Sequence, residues 1–102
     1  MAKFVFAYTG GAMADTPEGQ EAAMKAWMDW FGELGSAIVE PGNPFGASNR
    51  VTSSSASGAA ATGLGGYTVI EASDLTAASK LAGGCPVLAG GGAVDVYEAM
   101  AM

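Results

Sequence analysis

The chain contains no histidine and a single cysteine, Cys85. The commonest general base near neutral pH is therefore missing, and so is the commonest transition-metal ligand. One thiol cannot close an intramolecular disulfide, and a zinc site built from cysteine and histidine is excluded. Any catalysis is left to carboxylates, lysine, tyrosine, Cys85 or a hydroxyl. No metal and no cofactor is expected. Basic residues are also scarce: 4 Lys and Arg stand against 10 Asp and Glu, for a formal net charge of −6. Phosphate backbones need counter-charge, so sequence-independent nucleic-acid binding is not expected. No apolar run approaches the roughly 18–20 residues of a membrane span. Met1-Ala2-Lys3-Phe4 leads into a short apolar stretch with no small-residue cleavage site behind it, which argues against a signal peptide. A lone cysteine fits a reducing compartment, so a cytoplasmic location without membrane association is the expectation.

What is present is a chain of 102 residues, half of them hydrophobic. That suits one domain, residues 1–102, able to bury a core without staples. Lys3 to Thr9 is rich in aromatic and β-branched residues and reads as a strand, with Phe4, Phe6 and Tyr8 on one face and Val5 and Ala7 on the other. Gly10-Gly11 ends it. Thr16-Pro17-Glu18 is a helix start, combining a capping hydroxyl, a proline at the first position and an acid at the positive end. Met24, Trp27, Phe31 and Leu34 then recur at helical spacing up to Gly35. In this reading Trp27 lies on the core stripe, Trp30 lies beside it at a boundary or partner contact, and Glu21 pairs with Lys25.

Ala37 to Glu40 is a short strand stopped by Pro41-Gly42, and Asn43-Pro44-Phe45-Gly46 prolongs the turn-rich stretch. Arg50 to Ser54 can form a minor strand. Ser55 to Gly66 is almost wholly small residues and reads as a mobile loop or hairpin tip. Tyr67 to Ala72 is a strand. Ser73 caps a second helix from Asp74 to about Ala82, with Leu75, Ala78, Leu81 and Ala82 on its apolar side. Gly83-Gly84 and Pro86 stop it. Ala93 to Glu98 is a last strand with Val94 and Val96 facing one way, Asp95 and Tyr97 the other.

The order β-α-β-β-α-β, with both helices on one face of an antiparallel sheet, is that of a ferredoxin-like α+β domain. Its strands carry apolar residues on both faces. The face without helices therefore calls for a cover, most simply a second copy, which would make a homodimer.

Tyr8 with Gly10-Gly11, Trp27-x-x-Trp30-Phe31 closing at Gly35, and Pro41-Gly42-Asn43-Pro44 together resemble the YCII-related domain family. So do Gly65-Gly66-Tyr67-Thr68-Val69-Ile70-Glu71 with Ser73-Asp74-Leu75, then Gly84-Cys85-Pro86 and Gly91-Gly92-Ala93-Val94-Asp95-Val96. The resemblance spans nearly the whole chain. It implies a dimeric α+β barrel, two ferredoxin-like subunits packed sheet to sheet around a cleft. Some relatives act on chlorinated aromatic breakdown products, one branch through a histidine–aspartate pair. Here Met24 stands near the helix histidine of that branch, and Thr9 stands where close relatives carry a histidine after the first strand.

Candidate site residues follow from the strand pattern. Tyr8, Tyr67 and Tyr97 can present phenols to a ligand, and Thr9 a hydroxyl beside the backbone of Gly10 and Gly11. Asp95 with Tyr97 forms the candidate acid–base pair, provided both face an enclosed cleft that raises the carboxyl pKa. The glycine runs Gly63 to Gly66 and Gly90 to Gly92 precede strands, which excludes a dinucleotide loop. Cys85 reads as a buried, unreactive thiol. Three functions are compatible with these residues: binding of a small, partly apolar molecule, a lyase, dehalogenase-like or proton-transfer enzyme using a carboxylate and a tyrosine, and a structural interaction module. The first is favoured because histidine is missing.

Overall fold

Alternating bulky residues in the first strand force its position. Phe4, Phe6 and Tyr8 all point to one side and are buried, so β1 (Ala2–Thr9) sits over the core. In the computed structural model, which describes residues 1–10, 15–54 and 63–101, β1 is followed by α1 (Pro17–Leu34), β2 (Ile38–Glu40), β3 (Leu64–Ala72), α2 (Leu75–Ala82) and β4 (Ala93–Ala99). The sheet order is β2-β3-β1-β4 and every pairing is antiparallel. This is an α+β architecture with two helices and one four-stranded sheet, compatible with the ferredoxin-like arrangement. Over residues 50–54 no strand element forms, only a β-bridge at Val51. Gly11 and residues 55–62 of the expected loop lie outside the described residues.

α1 begins as its sequence dictates. Thr16 holds extended backbone angles, its hydroxyl accepts the Gly19 amide at 3.1 Å, and Pro17 fills the first turn. The core stripe of α1 differs from the expected one. Trp30 (3% exposed) and Leu34 are the buried residues, while Trp27 and Phe31 are only partly buried and Met24 is 67% exposed. Trp30 wins the core position because it has a polar partner there. Its indole N–H donates to the Leu81 carbonyl at 3.2 Å, and its ring stacks on Phe6 with centroids 6.0 Å apart. Gly84 permits this approach, since a Cβ there would lie 3.1 Å from the indole. Lys25 reaches forward to Asp29 at 2.7 Å instead of back to Glu21, across an exposed helix surface where such a pair contributes little.

The cap of α2 is Asp74, one residue later than expected. Its carboxylate accepts the Ala77 amide at 2.8 Å from an extended backbone. Ala78 and Ala82 are buried, whereas Leu75 is half exposed. The helix side of the sheet thus carries Phe4, Phe6, Tyr8, Thr68, Ile70 and Ala72. Cross-strand register places Val5, Ala7, Val69, Tyr97 and Asp95 together on the opposite side, which no helix among the described residues covers. The molecule is 19 Å thick along its shortest axis, about the depth of one helix layer on one sheet.

Candidate functional site

The helix side of the sheet is filled unevenly, and the unfilled part is a cavity. Toward α2, Ile70 is fully buried. Two residues earlier along the same face is Thr68, and two before that is Gly66, which brings no side chain. Gly66 pairs with Tyr8, and the register slips by one residue between Tyr8 and Thr9, bulging β3 at Gly65. A cavity of about 650 Å³ opens here between α1 and the sheet. The α1 wall is Gln20, Ala23, Met24, Trp27 and Phe31, a stripe adjacent to the core stripe of Trp30 and Leu34. Tyr8, Gly66 and Thr68 form the floor, and Val87 closes one side.

The remaining wall is the loop Pro41–Phe45, which runs beside β3 as an irregular extra strand. Phe45 N–H donates to the Gly65 carbonyl at 2.9 Å, Tyr67 N–H donates to Asn43 at 3.3 Å, and Pro44 bridges Gly66. Gly42 has a φ of +77°, and a Cβ there would fall 1.8 Å from the Tyr67 carbonyl oxygen. Only glycine lets the loop lie this close.

Among the described residues the cavity lining contains no Asp, Glu, Lys or Arg side chain. Its aromatic wall is ordered by edge-to-face contacts, with the Tyr8 and Trp27 rings 5.0 Å apart. At the floor lies a chain of hydroxyls. Tyr8 donates to Thr68 Oγ1 at 2.6 Å, and Thr68 donates to the Pro41 carbonyl at 2.8 Å. Thr68 is fully buried and Tyr8 is 7% exposed. Burial pushes the Tyr8 phenol up to about 12, outweighing the lowering effect of the Thr68 hydroxyl, with nearby Cys85 adding a small upward push. Tyr8 therefore stays protonated throughout the physiological range.

The expected site residues do not converge. Tyr8 lies on the cavity floor. Tyr67 borders the cavity, but its ring stacks on Phe45 at 5.6 Å and its hydroxyl donates to Glu40 at 2.7 Å, a bond that raises its pKa. Thr9, Asp95 and Tyr97 are not part of the cavity lining. Asp95 is exposed and Tyr97 is 61% exposed, both on the uncovered face. Cys85 is buried, and burial is the leading cause that lifts its thiol to about 11. Among the described residues no three His, Cys, Asp or Glu side chains cluster, and no helix is long and apolar enough to cross a membrane.

The α1 wall is what sequence reasoning missed. Its signal is present: Gln20, Met24, Trp27 and Phe31 hold helical spacing, and one helix carrying two apolar stripes has more apolar surface than one sheet contact uses. No protein-family model, curated protein or solved structure matches the chain.

Proposed function

We propose that this protein binds a small, uncharged, largely apolar molecule in the cavity between α1 and the sheet, and that it works as a homodimer of the YCII-related type. The observation that carries the reading is a cavity of about 650 Å³ walled by Met24, Trp27 and Phe31, with no ionised side chain among the described residues that line it. That volume suits a drug-sized ligand, for which sites are concave and mainly apolar with a few placed polar groups. The site so proposed lies on the helix side of a single chain, apart from the cleft expected between two sheets. The dimer reading rests on the uncovered face, where Val5, Val69 and Tyr97 lie in register.

The position of Asp95 and Tyr97 favours binding over proton transfer. They lie across the sheet from the cavity, so among the described residues no carboxylate stands beside the Tyr8 phenol to exchange a proton there. An open cavity also speaks against a purely structural module, whose interior its own side chains would fill.

Titration with naphthalene, followed by nuclear magnetic resonance shifts, tests the reading. Wild type is expected to show saturable shifts at Trp27 and Phe31. Ala23→Phe, which fills the mouth, is expected to abolish them while leaving the fold intact. Shifts that persist unchanged in Ala23→Phe would overturn the assignment of the site.

A further inference from the structure

The hydroxyl chain on the cavity floor has a direction, and the direction constrains the ligand. Pro41 can only accept at its carbonyl, because a carbonyl has no proton to give. Thr68 has one hydroxyl proton and spends it on that carbonyl at 2.8 Å. Tyr8 has one phenolic proton and gives it to Thr68 Oγ1 at 2.6 Å. Reversing the chain would strip the Pro41 carbonyl of this donor and leave Thr68 pointing at Tyr8, so the anchor at Pro41 fixes the order. What remains at the Tyr8 oxygen is lone pairs alone. Gln20 and Asn43 stand at the exposed mouth, so the buried polar end of the cavity is an acceptor.

We infer that the ligand is a neutral aromatic molecule carrying an N–H or O–H group, which it donates to the Tyr8 oxygen while its ring packs against Trp27 and Phe31. This rests on the cavity-binding reading and deepens it by naming the ligand's chemical class. A ligand that presents only an acceptor to this end meets the Tyr8 and Thr68 lone pairs and gains nothing there.

Three probes of similar size separate the possibilities: naphthalene with no polar group, indole with a donor only, and quinoline with an acceptor only. Affinities are compared by titration calorimetry at pH 7 for wild type, Tyr8→Phe and Thr68→Val. In wild type, indole is expected to bind roughly three- to tenfold more tightly than quinoline. In Tyr8→Phe that preference is expected to vanish. In Thr68→Val the Tyr8 hydroxyl is freed to donate into the cavity while it still accepts, so quinoline is expected to bind more tightly than in wild type and the preference for indole to shrink. A role confined to packing would not tighten one of two ligands of one size over the other.

Quinoline binding as tightly as indole to wild type would overturn the donor inference while leaving the cavity reading in place. A wild-type preference for indole that survives at full size in either folded variant would also overturn it, because some other group would then be reading the ligand. Failure of all three probes to bind wild type would overturn the cavity reading and the inference together. Should one variant not fold, the wild-type ranking and the other variant still decide.

Discussion

Two buried groups with raised pKa values, Tyr8 and Cys85, are joined through the same packing, and both predict alkaline sensitivity. In the unfolded chain the thiol titrates near 9.0 and the phenol near 10.0, whereas in the folded chain they reach about 11 and about 12. Folding therefore holds protons that the unfolded state releases. The stability they confer is complete below pH 9 and is lost as pH rises through the folded values, since the unfolded state binds fewer protons in that window. Each group costs on the order of 1 kcal/mol per pH unit inside its own window. Urea midpoints are expected to be flat from pH 7 to 8.5 with respect to these two groups and to fall between pH 9 and 12. The double variant Tyr8→Phe, Cys85→Ala is expected to flatten that fall, and an unchanged slope would show that other groups set it. Trp30 teaches a related lesson at this scale. Its place in the core follows from a hydrogen bond to Leu81 and from the space at Gly84, neither visible in the periodicity of α1.

Helix starts in this chain are set by side-chain oxygens, and one of them was legible one residue off. Ser73 and Asp74 are both good caps by type. The extended φ of −159° at Asp74 and its 2.8 Å bond to Ala77 N–H show which one closes α2. Asp74→Ala is expected to cost about 1 kcal/mol in denaturant unfolding, and Ser73→Ala close to nothing. Equal costs would mean that the cap shifts freely between the two. The elements were readable in outline: Pro17–Leu34 matches the expected helix and the four strands hold the expected order, but β3 begins at Leu64, inside the stretch expected to be loop, and the minor strand expected over 50–54 is not among the strands. The loop Pro41–Phe45 reads as turns from its composition. That it doubles as a wall beside β3 depends on hydrogen bonds from Phe45 to Gly65 and from Tyr67 to Asn43, pairs that are far apart in the chain.

The whole molecule is a helix layer on a sheet, with Val5, Val69 and Tyr97 on the side left bare. Under the homodimer proposal, Val69→Lys is expected to convert a species of twice the chain mass into one of 10.1 kDa by sedimentation, without loss of helix content. A wild-type protein that already sediments at 10.1 kDa would sink the dimer and leave the helix-side cavity standing. The two proposals are separable because they use opposite faces of one sheet. The amino-acid sequence alone determined the order of elements, the two-sided apolar character of the strands and the lack of histidine, because these depend on local propensity, period-two alternation and residue count. Tertiary structure decided which tryptophan enters the core and that glycine at position 66 leaves room under α1 for a ligand. Those outcomes depend on register and on which distant atoms meet, and no single segment carries that information.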